Sequence, residues 1–106
     1  MTNYFRIHLG KYSLSQLQNH VSGDGGDDMF NKGGICATES ISDLLNNTAY
    51  DLVDEAEAEV VVLRGQHICD IYDGVRIYPT EIVARFAAQE FAALERSGEV
   101  YAYEDF

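Results

Sequence analysis

The dipeptide Asp73-Gly74, set between Ile71-Tyr72 and Val75-Arg76, constrains this chain more than any other pair of residues in it. A type I′ turn needs positive φ at both central residues, and Asp-Gly between apolar flanks is a strong short-range hairpin signal. The middle of the chain is thereby committed to antiparallel pairing. EVVVLRG, HICDIY and VRIYP read as three successive strands around it, with a less defined turn at Arg64 to Gln66.

The flanking segments supply the other elements. NYFRIHLG alternates, with Tyr4, Arg6 and His8 on one face and Phe5, Ile7 and Leu9 on the other, which predicts a strand closed by Gly10. SLSQLQNHV places Leu14, Leu17 and Val21 at helical spacing behind Ser13 as N-cap. Residues 22–34 hold five of the nine glycines and three aspartates, so a long loop is expected there, and such loops are as a rule functional or mobile.

From Ser40 onward Ile41, Leu44, Leu45, Ala49, Leu52, Val53 and Ala56 form one apolar stripe, predicting an amphipathic helix that ends near Ala56–Ala58. Ser40 and Asp43 make a capping-box variant at its start. A second helix is expected from an N-cap at Thr80, with Ile82, Val83, Phe86, Ala87, Phe91 and Leu94 as its core face and Gly98 at C′. EVYAYEDF alternates and predicts a final edge strand, itself a candidate for pairing with a second copy. The order is β-α-α-β-β-β-α-β in a single domain, 1–106. It implies an α+β fold, an antiparallel sheet of about four to five strands with two main helices on one face.

Charge is the compositional feature that bears on function. Lys and Arg number 7 against 18 Asp and Glu, a net of −11. Residues 1–35 are net zero, residues 36–63 carry seven acids and no base, and residues 64–106 are net −4. Direct binding to a nucleic-acid backbone depends on Lys and Arg displacing counterions, so this balance argues against it. A basic protein surface is the natural complement. The start MTNYFRIHLG lacks the pattern of a secretory leader, the two cysteines are too few for a disulfide scaffold, and VVVL is the longest apolar run. The expectation is a cytoplasmic protein without a membrane span.

Within the acidic quarter, Asp51 stands three residues before Asp54 and four before Glu55, on a helix face that also carries Asp43. Each such like-charge pair costs about 0.2–0.5 kcal/mol, and acids in a last turn oppose the helix dipole by roughly another 0.3–1 kcal/mol. A helix built only for stability would place Lys or Arg there. One reading is a solvated face that keeps the protein soluble. The functional reading is a partner surface made of Asp43, Tyr50, Asp51, Asp54, Glu55, Glu57 and Glu59, filling a basic groove that otherwise holds nucleic acid. Carboxylates one turn apart lie about 6 Å from each other, close to successive phosphates along a strand.

Other chemistries have weaker support. Asp24, Asp27 and Asp28 are oxygen ligands without the EF-hand spacing, and His67, Cys69 and Asp70 lack the second pair that a zinc site needs. Cys69 reads as a buried core thiol. Cys36, behind Gly33-Gly34 and ahead of a helix, is the one candidate nucleophile, with His8, His20 or His67 as base, but no signature residues accompany it. No cofactor, metal site or catalytic residue is expected.

Residues 4–17, YFRIHLGKYSLSQL, resemble the opening of ArdA-type antirestriction proteins, acidic mimics of DNA, in their strand, neighbouring Leu and Tyr, and turn into a helix. The Gly-x-Leu-x-Gly-x-Trp continuation of that family is absent from Ser13 to Val21, and this chain is much shorter. No functional residue is carried over. The expectation is a non-enzymatic acidic inhibitor of phage or mobile-element type. The alternatives are an immunity- or antitoxin-type inhibitor and a small enzyme using Cys36.

Overall fold

The computed structural model describes residues 2–19, 34–45, 56–71 and 74–105. Strand β1, Tyr4–Leu9, is followed by a short helix α1, Leu14–Asn19, and a short strand β2, Ile35–Ala37. A one-turn helix α2, Ile41–Asp43, precedes two long strands, β3 at Ala58–Ile71 and β4 at Gly74–Ala87. Helix α3, Ala88–Ser97, and a 3-10 helix, Glu99–Asp105, complete the chain. The four strands form one sheet in the order β1-β3-β4-β2, every pair antiparallel. The fold is α+β.

The sheet nearly closes on itself. Thr38, one residue past β2, bridges to Phe5 of β1 through paired backbone hydrogen bonds of 2.9 and 2.8 Å, although β1 and β2 lie at opposite ends of the strand order. Such curvature needs bends, and the β3–β4 ladder has three register shifts. Each leaves a residue without a cross-strand partner: Val83, Thr80 and Ile68. A bulge of this kind bends a strand and increases its twist. Gly65 sits at one of them, where a Cβ would collide with Tyr78 O and lie 2.9 Å from Pro79 Cα. Only glycine allows the two backbones to approach so closely.

The curled sheet has apolar residues on both faces. Val60 and Val62 join Phe5, Ile7, Ile41, Leu44, Phe91 and Val100, so α2 and α3 cover the same face. Val61 and Leu63 join Tyr4, Ile35, Val75, Ile77 and Leu17 of α1 on the other. The VVVL run is thus the strand buried on both sides. Both expected helix starts behind serine are present. Ser13 Oγ accepts from Gln16 N–H at 3.2 Å while Gln16 Oε1 accepts from Ser13 N–H at 2.8 Å, a reciprocal capping box. Ser40 Oγ accepts from Asp43 N–H at 3.0 Å.

Three sequence expectations are corrected. One 14-residue strand, Ala58–Ile71, runs where EVVVLRG and HICDIY were expected as two. The segment from Thr80 to Ala87 is the second half of β4; Thr80 donates its hydroxyl to Arg64 O, and the helix begins only at Ala88. Gly98 is nevertheless its C-cap, at φ 83°, as expected. The C-terminal segment is a 3-10 helix, so the edge strand on which a homodimer was expected is not formed. Val100 and Tyr103, three residues apart, both reach the core there, as a three-residue period requires. The β3–β4 hairpin is present, but its expected turn is corrected: Ile71 stands opposite Gly74, so Gly74 lies in the strand without positive φ and is glycine because a Cβ would collide with Ala37 O. The glycine-rich segment 22–33 and residues 46–55 of the expected acidic helix lie outside the described residues.

Candidate functional site

Four charged or polar side chains meet on one face of three neighbouring strands. His8 of β1 stands directly opposite Glu59 of β3, and Arg85 of β4 stands opposite Val61, one face-position along. Arg6, two residues before His8, completes the row. Glu59 Oε1 accepts from His8 Nε2 at 2.9 Å and from Arg85 Nη1 at 2.8 Å. Arg6 Nε donates to His8 Nδ1 at 3.3 Å, and Arg6 Nη1 donates to Cys36 O at 2.9 Å. Arg85 Nη2 donates to Tyr12 O, and the Tyr12 ring stands edge-on to His8 with centroids 4.8 Å apart.

This network fixes the histidine tautomer. A donor at Nδ1 requires a lone pair there, so the ring proton sits on Nε2 and points at Glu59. His8 is 6% exposed, and burial, reinforced by the Arg6 and Arg85 charges, holds it below its ordinary pKa against the pull of Glu59. Below about pH 6.5, the ordinary value, the unfolded chain takes up a proton that the folded chain does not. Stability from this group is therefore full above that pH and falls as pH drops toward the depressed folded value. Urea midpoints compared at neutral pH and in the range just below 6.5 are expected to show this loss, and His8→Gln is expected to flatten it.

A second polar group lies around the 3-10 helix. Tyr101 donates its hydroxyl to Glu95 Oε1 at 2.7 Å, and Glu104 Oε1 accepts from the Ile41 N–H at 2.5 Å. The bond to Glu95, with the charges of Glu95 and Glu104, holds the Tyr101 phenol above its ordinary value. Glu104 of the 3-10 helix thus holds the start of α2, 63 residues away in sequence.

The described basic and acidic residues are distributed unequally between interior and surface. Arg76 is fully buried and donates to Gly34 O at 3.1 Å. Arg6, Arg64 and Arg85 are half-buried and spend donors on Cys36 O, Asn3 and Glu59. Of the basic residues described, Lys11 and Arg96 are exposed. Glu39, Asp43, Glu57, Asp70, Glu81, Glu90, Glu99 and Glu104 are exposed as well. The surface is consequently more anionic than composition alone implies.

No family model, curated protein or solved structure matches the chain.

The expected partner residues divide into three groups. Asp43 and Glu57 are exposed. Tyr50, Asp51, Asp54 and Glu55 lie outside the described residues. Glu59 is a correction: it is 8% exposed and serves as the anion that joins β1 to β4. Its position two residues past Glu57, opposite His8 in the ladder, takes it off the outer surface.

Cys36 is half-buried within β2, ahead of the N-cap Ser40 by a full turn, so it does not stand at a helix N-terminus. Cys69, expected to be buried, is half-buried too, and both cysteines flank Arg76 in the sheet register. His67 Nε2 and Asp70 Oδ1 form an exposed pair at 2.9 Å. Among the described residues no cluster of three or more His, Cys, Asp or Glu could hold a metal ion, and no helix is long and apolar enough to cross a membrane. The buried Arg6–His8–Glu59–Arg85 row is what sequence reading missed. Its signal was the alternation of β1, which put Arg6 and His8 on the same face as Tyr4.

Proposed function

We propose that this chain binds a basic protein surface, and that it does so as an inhibitor of a nucleic-acid-handling complex of the kind targeted by phage or mobile-element anti-defence proteins. The observation that carries the reading is the inward placement of arginine. Three half-buried guanidiniums and one fully buried one are used inside the fold, while exposed carboxylates dominate outside. Internal use of arginine concentrates negative potential on the surface, which steers encounter with a cationic partner. The run from Asp51 to Glu57, with no basic residue between, extends the same sign along the chain.

An immunity-type inhibitor that caps the basic active site of a toxin is the second reading, and it shares the electrostatics. Both place recognition on Asp43, Tyr50, Asp51, Asp54, Glu55 and Glu57. The test begins with capture of the partner from a lysate of the native host. The association rate is then measured against ionic strength, with duplex DNA and RNA as competitors. A nucleic-acid mimic is expected to be displaced by duplex and to associate about tenfold or more slower as salt rises from low to physiological strength. Binding that ignores both salt and nucleic acid would refute the mimic.

A further inference from the structure

The seam where the curled sheet meets itself is built differently from the rest of it. β1 pairs with β3 from Tyr4 opposite Leu63 to Leu9 opposite Ala58, and β2 pairs with β4 from Ile35 to Ala37. Between β1 and β2 there is instead an isolated bridge, in which Phe5 N–H donates to Thr38 O and Thr38 N–H to Phe5 O. Beside it Arg6 reaches across from β1, its Nη1 donating to Cys36 O of β2 at 2.9 Å.

The same guanidinium donates from Nε to His8 Nδ1 at 3.3 Å, a bond that exists only while Nδ1 keeps its lone pair. Nε2 already carries a proton toward Glu59, so a second proton on the ring must enter at Nδ1. The imidazolium would then turn one donor against another and set a positive charge beside Arg6. The groups facing the ring differ in what they do. Arg6 of β1 and Arg85 of β4 oppose the proton, and Glu59 of β3 favours it. Tyr12, beyond β1, meets the ring edge-on, while Lys11 and Glu57 are exposed on the cleft lined also by Glu59 and Arg85. Glu59 keeps His8 Nε2 and Arg85 Nη1 in either state, and Arg85 is anchored on Tyr12 O as well. Arg6, half-buried on a long flexible stem, is the group that can turn toward water.

We propose that proton entry at His8 Nδ1 unlatches the β1–β2 seam: Arg6 leaves His8 and Cys36 O, and the Phe5–Thr38 bridge opens while the β1–β3 and β2–β4 ladders stay paired. This opening is local, and so distinct from the loss of overall stability that the same histidine brings. Burial and the two arginines delay the proton to below the ordinary histidine range. The seam is therefore closed at neutral pH and opens in mildly acidic solution.

The test follows amide hydrogen exchange of the full chain by NMR from neutrality down to about pH 5, each rate divided by the intrinsic rate at that pH. The Phe5 and Thr38 amides are expected to lose about tenfold or more of their protection. Val61 and Val62, on a strand paired at both edges, are expected to lose severalfold less. Ring ¹⁵N shifts of His8 report its protonation independently, and the two midpoints are expected to coincide. His8→Gln offers a donor to Glu59 and an acceptor to Arg6 without titrating, and is expected to hold the seam closed throughout. Arg6→Met is expected to leave Phe5 and Thr38 weakly protected at neutral pH, with no further step on acidification. A ring that titrates while Phe5 and Thr38 stay protected overturns the proposal, as does a ring that stays neutral until the whole fold is lost. Equal loss at Val61 and Val62 overturns it too, because the opening is then global, and so does an acid step that survives His8→Gln.

Discussion

Glu59→Ala is expected to destabilise the fold by about 3 kcal/mol, the scale of breaking a buried ion pair from one side. In a chain of this size that lowers the thermal midpoint by roughly 12–20 °C. The substitution removes the acceptor of His8 Nε2 and Arg85 Nη1 at once, and these donors belong to strands on either side of β3. Arg85 keeps Tyr12 O and is half-buried, so water recovers part of its loss. His8, at 6% exposed, recovers almost none. Glu59→Gln retains an acceptor without the charge and is expected to cost about half as much. Replacing Glu59, His8 and Arg85 together with Leu, Phe and Met should regain most of the stability, since no charge is then left uncompensated. Thermal and urea unfolding followed by circular dichroism read all three. A Glu59→Ala midpoint within a few degrees of wild type would show that the row is solvated and structurally idle.

How far the sequence reveals this fold depends on how regular each element is. β1 was legible because its side chains alternate in type along the strand, although Tyr4 and His8 are buried on one face as Phe5 and Ile7 are on the other, and both serine caps were legible because capping is local chemistry. The second half of β4 was misread for a specific reason. Ala84 opposes Val62 and Ile82 opposes Leu63, leaving Val83 as the extra residue of a bulge. That one-residue slip puts Ile82, Val83 and Phe86 at i, i+1 and i+4, which is also the spacing of a helix face. Period-2 and period-3.6 patterns cannot be told apart across a bulge. Gly65 misled in the same way: it reads as a turn residue, yet it is glycine because Tyr78 and Pro79 pass too close for a Cβ. At the C-terminus, Val100, Tyr101 and Tyr103 fit both a strand and a 3-10 turn, and packing against Phe86 and Phe91 settles the choice.

The charge asymmetry was legible as a sum, whereas its geometry was not. Net charge counts Arg6, Arg76 and Arg85 as offsets to the acids, but each is turned inward by the register of its strand. Conversely Glu59 counts as part of the acidic run and is withdrawn from it by pairing opposite His8. Burial of ionic groups depends on which strands become neighbours, and strand order is a long-range property that no local spacing encodes.

The largest functional effect is expected from reversing the acidic run. Asp51→Lys, Asp54→Lys and Glu55→Lys together should weaken partner binding about a hundredfold or more, because like charges facing each other at an interface cost several kcal/mol. The comparison that gives this meaning is a second triple, Glu81→Lys, Glu90→Lys and Glu99→Lys, on exposed positions of β4, α3 and the 3-10 helix. Each substitution adds two positive units, so both triples bring the net charge from −11 to −5. If negative charge acts only through the overall field or through solubility, the two triples behave alike. A partner-specific face predicts that the first abolishes binding while the second slows association severalfold and leaves the dissociation rate near wild type, as rim charges do. Surface plasmon resonance against the captured partner separates the rates, and circular dichroism confirms that both triples fold. Lowering the net charge from −11 to −5 reduces self-repulsion of the folded chain, so the first triple should be at least as stable as wild type, which would separate loss of binding from loss of structure. Equal loss in both triples would reduce the acidic run to general electrostatics.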